Sequence, residues 1–145
     1  HKAGELTFVP SHAVNPYDNE SPDINGDGVQ FYLADSSGAS AWMLVPDAAE
    51  QGRVRTREIG GWDSPRELRA TWHRIDGGYS VHIRVAVATL TDDAELTLGV
   101  VVNEKPPTRE RRRGQLVLGG QPGEFVYLRG DREDINRLPR FTIAP

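Results

Sequence analysis

The chain has 145 residues, a hydrophobic fraction of 37%, a charged fraction of 26% and a formal net charge of -4. This length supports one domain with its own core and is short for two, and no apolar run is long enough to predict a membrane-spanning helix. The acidic balance argues against a nucleic-acid partner, and the absence of cysteine excludes disulfides, thiol catalysis and cysteine-ligated metals.

Short β-type segments separated by turns begin close to the start of the chain. Residues 5–10 (ELTFVP) form the first, and Pro10 ends it or places it at a sheet edge. An acidic, turn-rich loop then leads into residues 29–34. Residues 39–45 return after a turn at residues 35–38, which predicts a β-hairpin.

The clearest hairpin lies in the middle of the chain. Residues 66–75 and 79–87 flank the sequence Asp76-Gly77-Gly78, and Asp-Gly is a strong turn signal between two strands. Apolar and polar residues alternate along both segments. The alternation predicts one dry face and one wet face, so we expect this hairpin to lie over a core.

The remaining β-type segments complete an all-β pattern. They are residues 53–59, 95–103, 115–118, 124–128 and 141–143, of which 95–103 is apolar enough for a central strand. We find no internal repeat and no long amphipathic helix. The pattern of about nine short strands predicts an antiparallel, jelly-roll-like β-sandwich in one domain that spans residues 1–145.

The acidic loop before the first hairpin carries half of a calcium-binding motif. Asp23, Asn25 and Asp27 alternate with small or apolar residues, as oxygen ligands of Ca²⁺ often do. The twelfth position is Ala34 and a strand pattern follows, which argues against an EF-hand. Two interpretations stay open: a structural Ca²⁺ site of another type, and an Asx-rich turn that satisfies its own backbone.

Three tryptophans are candidates for stacking on a sugar, because a flat aromatic face can cover the apolar face of a sugar ring. Trp72 shares a predicted face with apolar neighbours, so we expect it to pack in the core. Trp42 lies in an apolar strand, where either role fits. Trp62 lies in the Gly-rich loop at residues 60–65 and is the first candidate for a ligand platform, with packing inside the loop as the alternative.

Two histidines fall on the wet face of the central hairpin. His73 and His82 lie near Arg69 and Arg84 in the predicted pairing, but no third metal ligand is evident, which favours a solvated polar face over a metal site. Met43 together with His82 would suit axial ligation of haem. The simpler interpretation makes Met43 a core residue of its strand.

No catalytic constellation is visible in the sequence. The carboxylates concentrate in loops, and no nucleophile elbow or phosphate-binding loop is present, so we do not expect an enzyme. The basic run at residues 109–113 (RERRR) fits a solvated loop, with contact to an anion or an acidic polymer as the alternative.

Four segments, in order, resemble family 9 carbohydrate-binding modules of the wider DOMON-like group. They are residues 15–35 (NPYDNESPDINGDGVQFYLAD), 78–90 (GYSVHIRVAVATL), 98–104 (LGVVVNE) and 111–118 (RRRGQLVL). The resemblance implies a β-sandwich that binds glycans without catalysis, with structural Ca²⁺ in some members. It also implies an extracellular, periplasmic or cell-envelope location.

The resemblance further implies a ligand site in which two aromatic side chains clamp a terminal sugar. In this chain Trp62 or Trp42 would stack on the sugar, and Glu124, Arg129 and Asp131 would bond its hydroxyl groups. The loop at residues 129–134 contains no tryptophan, which departs from the family pattern.

Other domains of a parent protein are further expected partners. The chain begins at His1 without an initiator methionine, and the N-terminal strands of the family are shortened or missing before Glu5, so we expect a piece of a longer protein. The first alternative is a structural or interaction domain that has lost its sugar site. A haem-binding electron-transfer domain of the DOMON type ranks after it.

Overall fold

The computed structural model describes residues 26–59, 66–87, 93–106, 108, 113–118 and 134–142. In chain order these contain β1 (Gly28–Asp35), β2 (Gly38–Pro46), β3 (Val54–Glu58), β4 (Leu68–Ile75), β5 (Gly78–Val85), β6 (Glu95–Glu104), β7 (Gly114–Leu118), a 3-10 helix (Ile135–Arg137) and β8 (Arg140–Thr142). All strand pairings among them are antiparallel. The predicted all-β, antiparallel class is therefore confirmed, and the jelly-roll arrangement stays a prediction.

Six of these strands form one sheet, and β4 and β5 form a separate hairpin. The order in the large sheet is β3-β2-β1-β6-β7, with β8 also paired to β6. One edge of β6 pairs with β1, and its other edge pairs with β8 at Glu95–Thr97 and with β7 at Val100–Glu104. The apolar segment at residues 95–103 is thus a central strand, as its composition predicts.

Both predicted hairpins are confirmed, and their turns explain the registers. Asp35 pairs with Gly38, which has a φ of 124°, and the Asp35 carboxylate accepts hydrogen bonds from the backbone N–H and the hydroxyl of Ser37. In the second hairpin Ile75 pairs with Gly78 across the two-residue loop Asp76-Gly77. Gly77 has a φ of 70°, a left-handed conformation that glycine adopts without steric cost.

The β4–β5 hairpin packs over one face of the large sheet. That face carries the buried side chains of Phe31, Trp42 and Leu44. The apolar side chains of the hairpin that pack against them are Leu68, Ala70, Tyr79, Val81, Ile83 and Val85. The predicted dry face of the hairpin is confirmed, and removal of this apolar surface from water holds the two layers together.

A second apolar cluster lies on the opposite face of the large sheet. Tyr32, Met43 and Val101 are fully buried there, and Leu138, which follows the 3-10 helix, packs against them. A Cβ atom at Gly99 would lie only 2.7 Å from Cδ2 of Leu138. The missing side chain at Gly99 is therefore what lets Leu138 lie against β6.

A buried ion pair ties the start of the hairpin to the β1–β2 turn. Arg66 donates to both carboxylate oxygens of Asp35, at 2.6 Å and 2.5 Å, and also to the Ser37 hydroxyl and the Gly38 carbonyl, each at 2.8 Å. The hydrogen bonds to Asp35 raise the pKa of Arg66 above its ordinary value, so the guanidinium stays charged. This contact positions β4 relative to the large sheet.

No helix within the described residues is long and apolar enough to cross a lipid bilayer. The strands predicted at residues 5–10 and 124–128 lie outside the described residues.

Candidate functional site

The candidate site is the face of the β4–β5 hairpin that points away from the core, here called the outer hairpin face. Its polar side chains are Arg69, Thr71 and His73 on β4 and Ser80, His82 and Arg84 on β5. The antiparallel register places Arg69 opposite Arg84, Thr71 opposite His82, and His73 opposite Ser80. Alternate residues of a strand face opposite sides, so these side chains stand together on the solvent side.

An open concavity of about 550 Å³ lies on the outer hairpin face. Its described lining residues are Arg69, Thr71, His73, His82 and Arg84, together with Ala70 and Ile83. The side chains of Ala70 and Ile83 pack on the opposite, core-facing side of the hairpin, so these two residues line the concavity with their backbone. The volume falls within the roughly 300–1,000 Å³ of small-molecule sites.

The two arginines of the outer hairpin face differ in their partners. Arg69 pairs with Glu67, with 2.7 Å between Nη2 and Oε1, and both side chains are highly exposed. Arg84 is exposed and forms no ion pair with any of the described residues. The positive charge at this end of the concavity is therefore only partly compensated.

The two histidine rings lie side by side near the other end of the concavity. Their centroids are 5.8 Å apart, and the ring planes meet at 72°. Within the described part of the chain, no group of three or more His, Asp or Glu side chains could hold a metal ion. The pair offers imidazole nitrogens to a ligand in addition to the arginine donors.

Asp27, one of the three predicted calcium ligands, is buried at the entry to β1. Its Oδ1 accepts a hydrogen bond of 2.9 Å from the backbone N–H of Lys105, which directly follows β6. Asp23 and Asn25, the other two predicted ligands, lie outside the described residues.

The hydroxyl of Tyr79 lies within electrostatic reach of the Asp27 carboxylate. Burial, and secondarily the negative charge of Asp27, raise the pKa of Tyr79 to about 12. The phenol therefore stays protonated at neutral pH. This interaction places Asp27, at the entry to β1, near Tyr79 at the start of β5.

Trp42 is a core residue, and this corrects the expectation that it stacks on a sugar. Its side chain is only 3% exposed. Its ring stacks on that of Phe31 with 5.8 Å between centroids, in the layer between the large sheet and the hairpin. No face of the indole is open to a ligand. Trp72 is also buried, as predicted, and its indole N–H donates to the carbonyl of Glu50 at 3.2 Å.

Met43 is a core residue, as its simpler interpretation predicts, and its placement argues against the alternative in which it binds haem together with His82. Met43 is fully buried in the cluster around Tyr32, on the sheet face opposite the hairpin. His82 stands on the outer hairpin face. Both sheets lie between the two side chains, so they cannot bind one iron from opposite sides.

The other predicted ligand-binding residues lie outside the described residues. They are Trp62, Glu124, Arg129 and Asp131. Thr71 and Ser80 complete the outer hairpin face. Alternation along the strands places both on the predicted wet face, although the sequence did not make them candidates for ligand binding. The two-residue Asp76-Gly77 loop adds the cross-strand pairs, because it sets which residues of β4 and β5 stand opposite each other.

No family model matches the chain, and no curated protein or solved structure is similar enough to count as a match.

Proposed function

We propose that this chain is a noncatalytic carbohydrate-binding domain of a secreted or cell-envelope protein. The observation that carries the proposal is the open concavity on the outer hairpin face, which is lined by hydrogen-bonding side chains on two paired strands. Guanidinium, imidazole and hydroxyl groups are suitable partners for sugar hydroxyls.

The location of the family-like segments also supports the proposal. The segments at residues 15–35, 78–90 and 111–118 include β1, β5 and β7, and the segment at residues 98–104 covers most of β6. Three of these strands, β1, β6 and β7, are neighbours in the large sheet. Three of the four motifs therefore lie side by side in one sheet, and the fourth lies in the hairpin that packs on it.

A structural calcium ion is part of the proposal, with Asp23, Asn25 and Asp27 as ligands. Addition of EDTA to the Ca²⁺-loaded protein is then expected to lower the melting temperature, because Ca²⁺ that binds only the folded state stabilises it by mass action. Differential scanning calorimetry measures the shift. Asp27→Asn serves as the matched variant and should show a smaller response to EDTA, whereas an unchanged melting temperature of the wild type would remove calcium from the proposal.

Affinity electrophoresis in gels that contain neutral or acidic polysaccharides tests the proposed function. We expect at least one polysaccharide to retard the wild-type protein. We expect Trp62→Ala to weaken that binding at least about tenfold, as truncation of an aromatic anchor commonly does. Phe141→Ala is the matched control, because Phe141 is an exposed aromatic residue on β8, a strand that pairs with β6 and not with the hairpin.

The absence of retardation by every polysaccharide, for a protein with a native circular dichroism spectrum, would contradict the proposed function. That result would favour a structural or interaction domain. Leu116, Leu118 and Phe141 support this second candidate, because they are large apolar side chains exposed on one face of the large sheet. Sedimentation of the protein as a larger species at higher concentration would then identify self-association as the interaction.

A further inference from the structure

The outer hairpin face contains a pair of like charges that destabilises the folded hairpin, and the need to fold does not explain why it is there. Arg69 and Arg84 stand directly opposite each other on neighbouring strands, and like charges in such positions destabilise a sheet. Glu67 compensates Arg69 from one side, but Arg84 has no carboxylate partner among the described residues. Departures of this kind from good local design are characteristic of functional sites.

From this arrangement we propose that the outer hairpin face binds the carboxylate groups of an acidic polysaccharide, a polyuronate. This inference rests on the proposed carbohydrate-binding function and names the class of ligand. One uronate carboxylate accepts hydrogen bonds from the exposed guanidinium of Arg84, and from Arg69 in exchange with Glu67. Arginine suits this task because its planar fork matches the two oxygens of a carboxylate.

The other side chains of the concavity can bind the hydroxyl groups of the sugar. Thr71 and His82 stand opposite each other next to the arginines, and His73 contacts His82 edge-on. These side chains offer donors and acceptors to hydroxyl groups of the same sugar or of the next one along the chain. A concavity of about 550 Å³ that is open to solvent admits a segment of a long chain without requiring a free end.

The overall charge of the protein favours a polyuronate over a nucleic acid. The chain carries a formal net charge of -4, which weakens its long-range attraction to a dense polyanion. Duplex DNA presents about one negative charge per 1.7 Å of axis, and its binding requires many phosphate contacts. A polyuronate carries a single carboxylate on each sugar, and a small cluster of arginines is sufficient to recognise it.

Isothermal titration calorimetry with polygalacturonate, and with its methyl-esterified form as the uncharged counterpart, tests the inference. We expect esterification to weaken binding at least about tenfold, because it removes the charge that the arginines recognise. We expect Arg84→Gln to weaken binding of polygalacturonate about tenfold. Raising the NaCl concentration from about 50 mM to about 500 mM should weaken binding of polygalacturonate by the wild-type protein, because salt screens charge contacts that are exposed to solvent.

Arg74→Gln is the matched control for Arg84→Gln. It removes the same charge from the same hairpin, but Arg74 does not line the concavity, so we expect affinity to change by less than about twofold. Equal effects of the two variants would overturn the inference. So would tighter binding to heparin or to poly(dT) than to polygalacturonate.

The outcomes separate this inference from the proposed function on which it rests. Binding of a neutral polysaccharide, without a preference for polygalacturonate, would overturn the polyuronate inference and leave the carbohydrate-binding function standing. The absence of binding to any polysaccharide would overturn both.

Discussion

Replacement of Arg66 by alanine is expected to lower the free energy of unfolding by about 3–5 kcal/mol, because it leaves a buried carboxylate without its cation. The side chains of Arg66 and Asp35 are only 7% and 4% exposed. The same guanidinium also donates to Ser37 and Gly38, so one truncation removes donors from several acceptors at the β1–β2 turn. The loss is a large fraction of the roughly 5–15 kcal/mol that stabilises a typical domain.

Urea denaturation followed by tryptophan fluorescence measures this loss. Arg69→Ala is the matched control, because its ion pair with Glu67 is 80% and 72% exposed and should contribute no more than about 1 kcal/mol. Combining Arg66→Ala with Asp35→Asn should restore part of the stability, since the unpaired charge is then gone. If Arg66→Ala and Arg69→Ala cost the same, the Arg66–Asp35 pair does not anchor the hairpin.

Turn chemistry and alternation account for what the sequence predicts correctly. Asp76-Gly77 lies between two segments that alternate strictly, and the structure places β4 and β5 on either side of it with the dry face inward. The turn after Asp35 likewise joins β1 and β2, because Gly38 takes a positive φ and Asp35 bonds the turn residue Ser37. Both signals are local, so a single sequence is sufficient to read them.

The order of the strands in the large sheet cannot be predicted from local signals of this kind. β1 pairs with β6, which lies more than sixty residues later, and β3 lies on the far side of β2. A period of two says that a strand has two faces, but it does not name the partner strand. The Arg66–Asp35 ion pair cannot be predicted from local signals either, because its two residues are 31 positions apart and meet only when the hairpin packs on the large sheet.

The sequence predicts which side chains share the outer hairpin face, but it does not predict which of them stand opposite each other. The wet face of the hairpin, with His73, His82, Arg69 and Arg84, follows from alternation alone. Its distinguishing feature, one arginine directly opposite another, depends on the register that the two-residue loop sets. The proposed stacking residue Trp62 and the proposed calcium ligands Asp23 and Asn25 lie outside the described residues, so their roles stay predictions.

Trp42 shows why the sequence of an apolar strand does not reveal which side chains face the core and which face solvent. Residues 40–46 of β2 are all buried, because the hairpin covers one face of the strand and the cluster around Tyr32 occupies the other. A strand buried on both faces loses the alternation that would distinguish core from surface. The sequence therefore left a core role and a ligand role for Trp42 equally open.

Trp42→Ala is expected to lower the free energy of unfolding by about 3–5 kcal/mol, because it opens a large cavity between the two layers. Trp42→Phe keeps a ring beside Phe31 and should cost less, about 1–3 kcal/mol. Urea denaturation gives both values, and calorimetry with a polysaccharide under native conditions shows whether affinity follows stability. A core role predicts that Trp42→Phe binds as the wild type does. Unchanged stability of Trp42→Ala together with lost binding would place the indole at a ligand surface, which its stacking on Phe31 and its 3% exposure contradict.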